Sequence, residues 1–213
     1  MSLQAELDHL VVAADTLDQG ADFIERILGV RPQPGGQHKP MGTHNLVLSL
    51  GERRYLEVIA IDPDLPKPDR PRWFGLDGSN LRQRLLARPR LIHWVARTSD
   101  LDKVVAVAPL GEIMSLSRGE YRWRITVPDD GSLPGEGLVP TMIQWESGAH
   151  PADRLPDLGC RLRGLYAIHP QPEAIRQALS TLGLGDALTV TAGPVPTLRA
   201  EIAAPDGIHF LGD

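Results

Sequence analysis

The chain repeats itself, and the repeat limits its architecture more than any other feature of the sequence. Leu7-Asp8-His9-Leu10-Val11-Val12-Ala13 is an apolar, β-branched run of strand character. Thr16-Leu17-Asp18-Gln19 has the form of a capping box, in which the Thr hydroxyl caps the first turn and Gln19 reaches back to it. Leu17, Ala21, Ile24 and Leu28 recur at helical spacing, with Gly29 as a C-terminal cap. Past a Gly/Pro-rich loop, apolar segments over 45–50 and 55–61 flank the tight turn Gly51-Glu52-Arg53. The same order returns at Leu91-Ile92-His93-Trp94-Val95-Ala96-Arg97, with a helix start at Asp100-Leu101-Asp102 and strands expected over 112–116, 121–127 and 140–146. A third copy opens at Arg161. It has a strand over 162–168, a helix begun by Pro172 and closed near Gly183, and a last hairpin about Pro205-Asp206-Gly207. The chain thus divides into a first module (5–62), a Pro/Arg-rich connection with a short helix at its end (63–90), a second module (91–151) and a third, degenerate module (160–213).

Aligned copies put His9 and His93 in one slot of the first strand. Glu57 and Glu146 fall near the ends of the last strands when Tyr55-Leu56-Glu57 is set against Gln144-Trp145-Glu146, with His-to-Glu separations of 48 and 53 residues. Taken singly, each residue has a plain explanation: a structural histidine on a strand, or a solvent-facing glutamate between Leu56 and Val58. The third copy carries Gly164 and Leu211 at these slots, so the scaffold itself does not require them. Two modules packed about a pseudo-twofold axis would bring two imidazoles and two carboxylates together. Such a set suits one divalent ion, Zn, Ni, Co, Fe or Mn. The ion would polarise a substrate oxygen and ease removal of a neighbouring proton.

Composition narrows the function classes. A net charge of -5 leaves no electrostatic footprint for nucleic acid or an anionic membrane. Arg82, Arg84, Arg88 and Arg90 read as a solvated helix face. No apolar run is long enough to span a bilayer, and Leu10–Ala14 lacks the basic flank of a signal peptide, so a cytoplasmic protein is expected. Cys160 is the only cysteine, which rules out an intrachain disulfide and a thiolate metal cage. Neither a dinucleotide fingerprint nor a Walker loop is present.

These pieces, in their order, resemble the vicinal-oxygen-chelate superfamily and, within it, glyoxalase-like domain proteins. The likeness rests on Leu7-Asp8-His9-Leu10-Val11, Gly35-Gly36-Gln37-His38, Gly42-Thr43-His44-Asn45, Tyr55-Leu56-Glu57-Val58-Ile59, Arg122-Trp123-Arg124 and Ile143-Gln144-Trp145-Glu146, with His150-Pro151 following. It implies an α+β fold of repeated βαβββ modules whose mixed sheets curl around a cavity holding a divalent metal, with ligands His9, Glu57, His93 and Glu146. By the same analogy Glu146 would be the base; in the enzyme reading Glu146 or His44 moves protons. Lyase or isomerase chemistry on a small oxygen-bearing substrate is expected first. A metal-free small-molecule-binding or drug-sequestering protein and an extradiol-type dioxygenase are the alternatives. Asn45, Arg122, Trp123 and Arg124 are candidate substrate contacts; Arg122 and Arg124 share the strand face opposite Trp123 and serve only if that face lines the cavity. His150 is read as capping a loop or lining a rim. The third module either covers an exposed sheet edge or builds a homodimer.

Overall fold

Alternation along the first strand sets the architecture, because one of its faces is apolar and the other carries His9, Val11 and Ala13. The computed structural model describes residues 3–146 and 148–212. Its first half contains β1 (Ala5–Ala13), α1 (Leu17–Leu28), β2 (Gln33–His38), β3 (Thr43–Ser49) and β4 (Tyr55–Ile61). Then come α2 (Ser79–Ala87), β5 (Arg90–Thr98), α3 (Leu101–Val107), β6 (Glu112–Arg118), β7 (Tyr121–Val127) and β8 (Thr141–Trp145). The last part has β9 (Arg161–His169), α4 (Pro172–Thr181), β10 (Thr189–Ala192), β11 (Thr197–Ala204) and β12 (Gly207–Gly212).

The first eight strands form one sheet in the order β2-β3-β4-β1-β5-β8-β7-β6. β1 and β5 run antiparallel at its centre, with β4 parallel to β1 and β8 parallel to β5. His9 pairs with Val95 and Val11 with His93, the reciprocal register that a twofold relation between halves requires. The register slips once beside Leu7/His9 and once beside Val11/Val12, leaving Asp8 and Ile92 as the extra, bulged residues. Asp8 and Ile92 each precede the histidine of their own half. A bulge re-aims its side chain, and here it puts Asp8 beside His9 instead of on the opposite face. The sheet curls until its edge strands β2 and β6 touch.

One face buries Leu10, Val12, Leu56, Val58, Trp94, Ala96 and Met142 under α1 and α3. Helix α1 is capped by Thr16, whose hydroxyl accepts from the Gln19 N–H; Gln19 reaches back to the Asp15 N–H, one residue before the expected partner. Gly20 faces β4 so closely that a Cβ there would lie 2.3 Å from Val58 Cγ1. The other, concave face is closed by the connection, whose Trp73, Phe74, Leu76 and Leu85 pack with Val11, Ile59, Val95, Ile125 and Ile143. Buried Arg72 fixes this roof through Asp77 (2.7 Å) and the Gly42 carbonyl. Residues 63–90 are therefore a wall of the site and not only a connection.

The last part keeps the βαβββ element order but pairs differently: β10-β9-β11-β12, with β9 inside between a parallel and an antiparallel neighbour. Its Leu165, Ala167, Ile175, Leu198, Ala200 and Ile202 join the core beneath the convex face of the large sheet. It covers a sheet face, whereas a sheet edge was one of the two roles expected for it. No helix among the described residues is long and apolar enough to cross a membrane.

Gly20→Ala tests the α1–β4 contact. The added methyl meets a stiff β-branched neighbour, so the variant is expected to lose about 1–3 kcal/mol by chemical denaturation despite alanine's better helix propensity.

Candidate active site

Five strands aim polar side chains at one buried place. His9 and Val11 from β1, Tyr55, Glu57 and Ile59 from β4 and Asn45 from β3 share the concave face by strand alternation and register. His38 joins them from the end of β2 and Arg118 from the end of β6. Trp73, Phe74, Trp123, Ile125, Ile143 and Trp145 complete a cavity with only about 30 Å³ of open space. One half of the wall is therefore polar and the other aromatic and aliphatic. Larger hollows, of about 510 and 430 Å³, are shallow depressions beside the small sheet, and no buried titratable cluster converges on them.

Asp8 anchors the polar half. Its wholly buried carboxylate accepts from His9 Nδ1 (2.7 Å), Trp145 Nε1 (3.0 Å) and His150 Nε2 (3.0 Å). Burial alone would raise its pKa, but the hydrogen bonds and charges of His150 and His9 outweigh it and hold the carboxyl below the usual carboxylate range. His150 caps the next turn by accepting the Ala152 N–H at Nδ1, as its sequence position suggested, which leaves Nε2–H for Asp8. His9 is stacked on Tyr55 (4.4 Å between centroids, 19°) and presents Nε2 to Glu57 Oε2 at 3.7 Å. Glu57 accepts from Asn45 Nδ2 at 2.6 Å. Gly35 makes room for that contact, since a Cβ there would lie 2.1 Å from Asn45 Oδ1.

The second half is built differently. Val11 pairs with Glu57 and its counterpart Val95 pairs with Thr141, so Thr141 is the structural equivalent of Glu57. Thr141 stands 48 residues after His93, as Glu57 stands 48 after His9. His93 closes on it: Nε2 accepts the Thr141 N–H (3.0 Å) and Nδ1–H donates to the Gly137 carbonyl (3.0 Å). Both ring nitrogens are spent on backbone partners, which fixes the neutral tautomer. Burial first, with a smaller push from the His9 charge and an opposing one from Gly137, lowers its pKa to about 4.

The structure therefore does not assemble the expected four-residue metal centre. His9 and Glu57 meet, His93 is occupied, and Glu146 is exposed just past β8, where its N–H donates to the Arg122 carbonyl. Trp145 faces the cavity, so the next residue points away; the alignment that set Glu146 against Glu57 is out of register. Glu146 cannot be the base of this cavity. Among the described residues no group of three or more His, Cys, Asp or Glu is arranged to hold a metal. The residues present do not fit the metal that the fold family implies.

Other candidates divide cleanly. Asn45 and Trp123 line the cavity. His44 is on the opposite face of β3, within 3.5 Å of Asp62. Arg122 and Arg124 indeed lie opposite Trp123, but that face is away from the cavity, and Arg124 holds Asp102 bidentately (2.7 and 2.8 Å). Cys160 is buried, which pushes its thiol up and leaves it unreactive. Asp8, His38, Trp73, Phe74 and Arg118 escaped the sequence reading. A usable signal was the Gly35-Gly36 pair two residues before His38, since adjacent glycines in a strand mark close approach.

A curled eight-stranded sheet around a polar cavity, built from two βαβββ halves, is the vicinal-oxygen-chelate fold. The profile of the glyoxalase-like domain matches residues 7–183, and the chain belongs to that family. A hypothetical protein from Staphylococcus aureus shares the fold with a TM-score of 0.58 at 14% identity, over 91% of this chain and 88% of that one. Methylmalonyl-CoA epimerase from Mycobacterium tuberculosis aligns with a TM-score of 0.39 at 19% identity (67% and 88% covered). The Streptomyces coelicolor epimerase in complex with 2-nitronate-propionyl-CoA gives 0.39 at 18% (70% and 98% covered). No curated protein matches the sequence.

Two outcomes follow from this geometry. Purified without chelator, the protein should carry well under one transition-metal ion per chain by elemental analysis, and His93→Ala should not change that content. Folded His93 takes up a proton only near pH 4, against 6.5 for the ordinary group. Its contribution to stability is complete above about pH 6.5 and is lost as the pH falls toward 4, on the order of 3 kcal/mol. Denaturation between pH 7 and 4.5 should show that fall in wild type and a shallower one in His93→Gln, which starts from a lower stability at pH 7.

Proposed function

We propose that the chain is an enzyme of isomerase or lyase type, which moves a proton at a carbon beside an oxygen-bearing carbon of a small molecule. His9 and Glu57 are its proton-transfer pair. The observation that carries this reading is the 3.7 Å approach of His9 Nε2 to Glu57 Oε2, two buried side chains that line the same cavity. His9 gives its Nδ1 proton to a buried carboxylate, so Nε2 is its basic nitrogen, and it confronts another acceptor. Two acceptors this close, out of water, call for a proton between them or on a ligand between them.

In the proposed step the substrate C–H bond breaks toward His9 Nε2, and the electron pair moves onto the adjacent carbonyl oxygen. The imidazolium that forms lies between Asp8 and Glu57, which stabilise it without reorganising. Delivery of a proton to the opposite face of the same carbon gives epimerisation. Where that carbon carries a hydroxyl, movement of the hydroxyl proton to the former carbonyl oxygen and return of the carbon-bound proton to the former carbonyl carbon gives isomerisation, and no electrons are gained or lost. Asn45 keeps Glu57 in place. Dioxygenase chemistry, which needs an iron held by His and carboxylate ligands, finds no fitting donor set among the described residues.

A second reading, a ligand-sequestering protein, draws support from the mutual pairing of Asn45 with Glu57 and of Asp8 with His9. Exchange in D2O separates the two. Small 2-oxoacids, 2-hydroxyketones and acyl thioesters incubated with the protein should show enzyme-dependent loss of a carbon-bound proton by NMR for at least one compound. His9→Asn and Glu57→Gln should each slow it roughly 10²-fold or more. No exchange with any compound, or exchange undiminished in both variants, sinks the proton-transfer reading.

A further inference from the structure

Arg118 stands where the two edges of the curled sheet meet. It ends β6, and its guanidinium crosses the seam to the first half, with Nη1 at 3.3 Å from His38 Nε2 and 3.2 Å from Asn45 Oδ1. Its stem lies against Gly36, where a Cβ would come within 2.8 Å of Arg118 Cδ at a φ of +140° that side chains rarely adopt. The crossing is therefore built into the backbone of the opposite edge.

What the guanidinium lacks is an anion. Arg72, Arg97, Arg124, Arg154 and Arg161 each hold a carboxylate. Arg118 has none within 4.0 Å among the described residues, although it is partly buried and borders the cavity. Glu57 is bonded to Asn45 instead, with its oxygens 3.7 Å from His9 Nε2 and 3.9 Å from His38 Nε2. His38 offers only a neutral lone pair, because burial first, and then the Arg118 charge, lower its pKa to about 3. A half-buried cation without a directly paired counter-charge is costly and is relieved by a bound anion. A second orphan stands nearby. Trp73, 4% exposed and lining the same cavity, has an indole N–H with no partner.

We propose that Arg118 is the receptor for a carboxylate carried by the substrate, with the Trp73 N–H as a further donor to it. The inference rests on the proton-transfer reading in naming that enzyme's substrate class: a small carboxylic acid whose reactive carbon lies beside a carbonyl or hydroxyl. With about 30 Å³ of open space, the cavity admits such a molecule only as the guanidinium turns from Asn45 and His38 toward the incoming anion. A planar fork suits this exchange, since it can meet both carboxylate oxygens at once. Bulk is limited by Trp73 and Trp123, so the acid is short.

Three tryptophans line the cavity, which makes their fluorescence the readout. Wild type is titrated with pyruvate, 2-oxobutyrate and lactate, and with the methyl ester of each. Saturable change is expected with at least one acid and not with its ester. Arg118→Met should weaken that acid roughly tenfold or more, and Arg118→Lys by less, with melting curves confirming that both variants fold. Equal response to acid and ester, no saturation with any acid, or unaltered affinity in Arg118→Met overturns the proposal. Displacement by inorganic phosphate at matching concentration also overturns it, in favour of a phosphate site. Because binding is read without turnover, Arg118-dependent binding with no deuterium exchange would sink only the proton-transfer reading, and exchange with Arg118-indifferent binding only this one.

Discussion

The antiparallel pairing of β1 with β5 is the constraint on which the rest depends. It joins the halves into one sheet, and its reciprocal register sets His9 beside Val95 and His93 beside Val11. The two bulges are part of the same device. Without the extra residue at Asp8, alternation would send that carboxylate into the apolar convex layer, where an unpaired charge costs several kcal/mol. With it, Asp8 sits under His9 and collects three N–H donors.

Symmetry in the backbone has been broken in the side chains. Each half keeps a histidine and a partner 48 residues later, but Glu57 leaves the His9 nitrogen facing a cavity while Thr141 closes the His93 nitrogen. Asn45 and Glu57 on one side face Ile125 and Ile143 on the other. A polar wall opposite an apolar wall gives a small ligand one orientation, which a symmetric metal centre would not do by itself. Among the described residues the last part of the chain contributes none to the cavity; it buries the convex face and so supports the sheet from behind.

Close approaches that need glycine hold the polar half together. Gly35 lets Asn45 reach Glu57, and Gly36 lets Arg118 cross the seam. Both lie in β2, a strand whose composition looks like a turn and which exists because β3 offers it a ladder. Sequence periodicity could not find that strand, since Pro34, Gly35 and Gly36 carry none of the usual strand signals.

The sequence by itself determined the repeat, the helices α1 and α4 with their start signals, most strands of the first two modules, and the strand face that Arg122 and Arg124 share opposite Trp123. These are local matters of spacing and alternation, which propagate along one chain segment. Tertiary structure alone decided which residue opposes which. It turned Glu146 outward, set Thr141 against His93, gave the third module a different strand order, and drew His38, Trp73 and Arg118 from three separate segments to one cavity with Asp8 behind its His9 and Trp145. A bulge or a one-residue shift reverses the face of every following side chain, and nothing in a strand's own composition reveals it.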